Sequence, residues 1–149
     1  FDFAPPRVIA GCAPTEEVTP ALADGVVVRA NSAIVTLDLD GDGDERTGWV
    51  IFYLHVDDIL VNPGSVLKAG DPIGKPSCEG GSATGTHVHL ARKYNGEWVP
   101  ASGPLAFNLE GWIAWQGSEP YQGTLTRFGQ TIRASVSSDQ STRIQSDAR

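Results

Sequence analysis

The chain has 149 residues, 40% of them hydrophobic, and its 11 Lys+Arg against 18 Asp+Glu leave a net charge of −7. At that length folding buries about 68–70% of the surface that the unfolded chain exposes, enough for one domain with its own core. The acidic balance, without any clustered Lys/Arg run, excludes the positive patch that nucleic acid or an anionic membrane needs, and no apolar run approaches the roughly 18 residues of a membrane helix.

Seventeen glycines and ten prolines punctuate short β-branched runs, and no stretch keeps a helical period, so an all-β fold with long loops is expected. In chain order, strands are expected at 26–29, 33–39, 49–56, 87–93 and 97–99, with weaker ones at 111–115 and a hairpin of 124–127 with 131–134. Between the second and third lies Asp38-Leu39-Asp40-Gly41-Asp42-Gly43-Asp44, which reads as a long hairpin loop. Its aspartates fall at positions 1, 3 and 5 of a calcium loop, but Trp49 stands where the bidentate glutamate belongs and the flanks are strands. A solvated acidic hairpin is the expectation, with weak cation binding the lesser alternative. Trp98, Phe107, Trp112, Trp115 and Tyr121 could line a groove, although aromatics at this density more often build core. Residues 135–149 are mostly Ser, Asp, Gln and Arg with isolated Val136 and Ile144, which predicts a domain over 1–134 and a polar, flexible tail.

Three histidines carry most of the chemical information. In His87-Val88-His89 a strand would turn both imidazoles to one face, about 6.5–7 Å apart at the backbone, and leave Val88 and Leu90 to pack on the other. Such a pair can hold a metal ion and a proton-transfer group side by side. For an arbitrary His-x-His a solvated strand face is the commoner outcome, but here Gly80-Gly81-Ser82-Ala83-Thr84-Gly85-Thr86 leads into the strand and lets a substrate backbone approach closely. His55 ends the apolar run Val50-Ile51-Phe52-Tyr53-Leu54 and is either a satisfied core residue or a site residue at the strand's open end.

Tyr53-Leu54-His55 and Gly85-Thr86-His87-Val88-His89-Leu90, with the run 64–74 between them and Ala23-Asp24-Gly25-Val26-Val27 before them, resemble the lysostaphin-type (LytM-like) zinc endopeptidases. That family carries a His-x-x-x-Asp motif, a Tyr-x-His and a glycine-rich loop ending in His-x-His. Asp2-Phe3-Ala4-Pro5 is similar to the end of the first motif, whose histidine would fall four residues before Asp2. The likeness covers roughly residues 2–90. With no methionine and an abrupt start at Phe1, it implies an N-terminally truncated or mature fragment.

The resemblance implies an antiparallel β-sheet core of the duplicated-hybrid-motif, or barrel-sandwich-hybrid, type. It implies zinc (Zn²⁺) held by Asp2, His89 and the preceding histidine, with His55 and His87 as the catalytic pair that moves protons and stabilises charge. The activity implied is zinc-dependent hydrolysis of peptidoglycan stem peptides or cross-bridges in the cell envelope or outside the cell. Nucleic acid and a membrane span are not expected, and a monomer is the default. For such an extracellular domain Cys12 and Cys78 suggest one disulfide, the alternative being two buried thiols. Two other functions stay open on the sequence: a degenerate domain of the same fold that binds wall or regulates a partner hydrolase, and, more remotely, a phosphotransfer or lipoyl-type carrier module.

Overall fold

The computed structural model describes residues 1–7, 10–136 and 140–145; residues 137–139 and 146–149 of the expected flexible tail lie outside them. The chain clusters into two compact units. Phe1–Pro5 and Ile9–Val99 make the first, with strands β1 (Asp2–Phe3), β2 (Thr19–Pro20), β3 (Gly25–Asn31), β4 (Ile34–Asp38), β5 (Trp49–Leu54), β6 (Val56–Asp57), β7 (Val66–Leu67), β8 (Pro72–Pro76), β9 (Val88–Tyr94) and β10 (Glu97–Val99). Pro6–Val8 and Pro100–Arg149 make the second, with β11 (Asn108–Leu109), β12 (Trp112–Trp115), β13 (Thr124–Arg127) and β14 (Gln130–Arg133). Among the described residues the only helical turn is the 3-10 segment Gln140–Thr142, so the fold is all-β, as its composition implies.

A seven-stranded antiparallel sheet dominates the first unit, in the order β1-β9-β5-β4-β3-β7 with β10 also on β9. Its centre is the β-branched and aromatic sequence of β4 and β5: Val35, Leu37 and Tyr53 are wholly buried and Val50 nearly so. Burying such residues on a pleated surface supplies the main drive for the sheet. Two-residue turns set the hairpin registers. Asn95-Gly96 joins β9 to β10 and Ser32-Ala33 joins β3 to β4, all four residues having the positive φ that a type I′ turn requires.

A small second sheet, β2-β8-β6, adjoins this one in sequence at His55. The expected single strand 49–56 is in fact two. His55 adopts φ 65°, a left-handed conformation that no strand continues through, so β5 ends at Leu54 and Val56 leaves to pair with Pro76 in the other sheet. The expected strand 87–93 likewise begins one residue later, because His87 meets Ser77 in an isolated bridge instead of joining the sheet.

The second unit is a four-stranded meander, β11-β12-β13-β14. Phe107, Trp112, Ala114 and Leu125 are buried in it. Of the five aromatics weighed for a groove, Phe107 and Trp112 are therefore core, while Trp98, Trp115 and Tyr121 are exposed.

Candidate active site

The antiparallel pairing of β1 with β9 puts Asp2 directly opposite His89. Side chains at paired positions share a face, and the His89 Nδ1 lies 2.6 Å from the Asp2 Oδ1. The His87 Nε2 lies 3.6 Å from the same oxygen, and the His87 ring centroid lies 4.5 Å from that of His55. One carboxylate and three imidazoles thus form a continuous row, although they come from sequence positions up to 87 residues apart. The row runs from dry to wet: the His55 residue is 4% exposed, whereas the side chains of His87, His89 and Asp2 are 18%, 38% and 62% exposed. The hydrogen bond to His89 holds the Asp2 carboxyl below its ordinary range against the opposing effect of burial.

Burial alternates through the His-x-His segment, with Thr86, Val88 and Leu90 buried and both histidines partly exposed. His55 reaches the same place by another route, because its left-handed backbone turns the chain out of the sheet at that residue. The expected alternatives for His55 converge, since it is both buried and part of the row.

Two backbone carbonyls fix how these rings point. The Glu79 carbonyl lies 2.6 Å from the His55 Nδ1, and the Gly85 carbonyl 2.7 Å from the His87 Nδ1. A carbonyl oxygen only accepts, so in each neutral ring the proton sits on Nδ1 and the lone pair on Nε2. Both rings therefore present a base nitrogen at Nε2, and in His87 that nitrogen faces Asp2. Sequence reasoning could not find these partners, because a backbone carbonyl leaves no residue-type signal. It also missed Ser77, whose amide donates to the His55 carbonyl at 2.8 Å and to the His87 carbonyl at 3.2 Å. Tyr53 of the Tyr-x-His motif is wholly buried, with its hydroxyl accepting from the Leu22 amide at 2.9 Å. Burial pushes its phenol up, which makes it a packing residue here.

The aspartate loop differs from the solvated hairpin expected of it at one residue. Asp38 is wholly buried, and its carboxylate accepts from the Asp40 amide at 3.2 Å and the Gly43 amide at 2.8 Å. A buried carboxylate requires such donors, so Asp38 organises the loop from within. Oxygens of Asp38, Asp40 and Asp42 lie within 4.8 Å of one another; among the described residues no such set of three includes Asp2 and His89.

An all-β scaffold bearing a carboxylate opposite a His-x-His strand, with a third histidine ring packed behind at a tilt, defines a domain with a histidine–carboxylate centre. The chain matches Peptidase family M23 over residues 9–101, more than half of its length, and it belongs to that family. It is 38% identical over 64 residues to protease LasA of Pseudomonas aeruginosa, a match covering 38% of this chain and 15% of LasA. Only a small part of that relative's length is therefore represented. Among solved structures, the M23 metalloprotease pseudoalterin, from the deep sea, superposes with a TM-score of 0.69 at 21% identity, covering 85% of this chain and 75% of the other, a likeness of fold. The catalytic domain of lysostaphin from Staphylococcus simulans aligns at 26% identity with a TM-score of 0.45, covering 52% of this chain and 59% of the other.

Proposed function

We propose that this chain is the catalytic β-domain of a zinc-dependent endopeptidase that hydrolyses peptide bonds of bacterial cell-wall peptidoglycan, in the stem peptide or the cross-bridge. The observation that carries this reading is the row itself: Asp2 and His89 with ligand atoms 2.6 Å apart, beside two imidazoles anchored at Nδ1. Family membership and the likeness to LasA support it.

The donor set suits zinc, which takes carboxylate oxygen and imidazole nitrogen. Asp2 through Oδ1 and His89 through Nδ1 would hold it, on the exposed end of the row. Catalytic zinc sites keep three protein ligands, and the family resemblance assigns the third to a histidine four residues before Asp2. When bound, zinc lowers the pKa of a coordinated water toward ~7 and polarises the scissile carbonyl.

The remaining work falls to residues of this chain. His87 and His55 each present Nε2 as a base that accepts a proton, and each can return one to the leaving amine or, once protonated, stabilise negative charge on the carbonyl oxygen. Their 4.5 Å ring separation allows both to serve one reaction centre. Gly80, Gly81 and Gly85 leave three positions of the preceding loop without side chains and its other residues are small, which favours an extended substrate rich in small residues. The Cys12–Cys78 disulfide suits an oxidising compartment, so we place the protein outside the cytoplasm.

The test is zinc content and hydrolysis of a pentaglycine-type peptide, for this chain and for a version carrying a histidine four residues before Asp2. The extended version is expected to bind about one zinc per chain and to cut the peptide. If it bound no zinc, the enzyme reading would be lost.

A further inference from the structure

Both acceptors that orient the imidazoles belong to one loop. The Ser77–His87 bridge closes it, with the His87 amide donating to the Ser77 carbonyl at 3.1 Å. Between these ends the sequence is Cys78-Glu79-Gly80-Gly81-Ser82-Ala83-Thr84-Gly85-Thr86. Three glycines give such a segment wide conformational freedom. Yet the Glu79 and Gly85 carbonyls stand 2.6 and 2.7 Å from the two Nδ1 atoms.

The segment 11–13 supplies the constraint, and it acts next to each acceptor. Beside Glu79, Cys78 is joined to Cys12 by the disulfide. Beside Gly85, Thr86 is 5% exposed; its amide donates to the Gly11 carbonyl at 2.9 Å and its hydroxyl to the Ala13 carbonyl at 2.6 Å. Three consecutive residues thus grip the loop at both ends, covalently at one and by hydrogen bonds from the buried Thr86 at the other.

We propose that Gly11-Cys12-Ala13 is a clamp that sets the orientation and tautomer of His55 and His87, with Cys12, Cys78 and Thr86 as positioning residues. The proposal rests on the catalytic reading of the two histidines. Without the disulfide, Glu79 keeps its amide's 3.0 Å hydrogen bond to the Ser77 Oγ but loses the covalent anchor beside it, so its carbonyl can move off His55, whose ring then exchanges its Nδ1 proton for the Nε2 tautomer and turns. Turnover falls while peptide binding is kept, because misplacing a reacting group acts on the chemical step, by roughly 10–100-fold for shifts near 1 Å.

The experiment compares the wild-type chain, carrying the added upstream histidine, with the double variant Cys12→Ser, Cys78→Ser and with Thr86→Val and Thr86→Ser. Imidazole ¹⁵N–¹H correlation spectra of the neutral rings report the tautomer, and kcat and KM are measured on the glycine peptide. In the wild type both rings are expected as Nδ1–H. The double variant is expected to lose that signature at His55 and roughly tenfold or more in kcat with KM unchanged. Thr86→Val is expected to disturb His87, and Thr86→Ser, which keeps the hydroxyl, to restore it. A double variant that melts lower but keeps both Nδ1–H rings and the wild-type kcat would overturn the clamp and leave an ordinary stabilising crosslink. If the wild type cuts no peptide, the peptidase reading fails, and the tautomer spectra alone decide the clamp.

Discussion

Replacing Gly80 by alanine tests how closely the loop must sit on its neighbours. Gly80 has φ 79°, and a Cβ there would lie 2.8 Å from the Ala33 Cβ, 2.9 Å from the Ser32 carbonyl oxygen and 3.3 Å from the Leu54 Cδ1. Ser32 and Ala33 cannot easily yield. They already hold positive φ in the β3–β4 turn, and the Ala33 carbonyl accepts from the Val56 amide at 3.1 Å. The left-handed backbone costs a non-glycine residue about 1–2 kcal/mol, and overpacking against a fixed turn costs about 1–3 kcal/mol more. Keeping the native loop would thus cost about 2–5 kcal/mol. Glu79 and Gly80 are exposed, so lifting the loop off the turn is cheaper than unfolding the sheet. Gly80→Ala is therefore expected to lower the urea midpoint by less than the full strain while kcat drops, as the Glu79 carbonyl moves from His55. The neighbouring Gly81→Ala is the control. Its Cβ would meet only the His55 Cε1, at an ordinary 3.5 Å, and restricting the unfolded chain should raise stability by about 0.4–1 kcal/mol. Urea denaturation and peptide hydrolysis measured on both variants decide the matter: equal stability and equal kcat in the two would refute the reasoning.

Three further outcomes follow from the same geometry. With the upstream histidine in place, His55→Ala and His87→Ala are expected to lower kcat roughly 10²–10⁴-fold with zinc content unchanged, whereas Asp2→Ala and His89→Ala should lose zinc in metal analysis. In metal-free protein the Asp2 carboxyl is held below its ordinary 3.8 by His89; its contribution to stability is complete above that value and lost as pH falls through the depressed one. The gap in urea midpoint between wild type and Asp2→Asn should accordingly close at acid pH and persist at neutral pH. The Thr36 Oγ1 is buried without a hydrogen-bond partner, so Thr36→Val, which keeps the shape, is expected to raise stability by about 1 kcal/mol, read as a higher thermal or urea midpoint.

Much of the architecture was legible because it depends on period-two patterning and on turn chemistry, both local properties. Eight of the observed strands, β3, β4, β5, β9, β10, β12, β13 and β14, overlay expected ones within about two residues. Where the expectation failed, a backbone conformation intervened: at His55 the apolar run continues into Val56, but φ turns positive, and side-chain type does not report that for a histidine. Asp38 was misread for a related reason, since burial of an acidic residue depends on which amides surround it.

Residue type and spacing by themselves determined that this chain is an acidic all-β protein and singled out its three histidines as the candidate chemical groups, whereas Asp2 entered only through the resemblance to a known family. Tertiary structure alone decided that Asp2 faces His89 across the β1–β9 pairing, and that the His55 ring packs against that of His87. It also decided that a single glycine-rich loop, gripped by residues 11–13, points both rings. The division has a physical cause: chemical capacity belongs to a side chain, but orientation comes from backbone carbonyls and long-range pairings that no local pattern encodes.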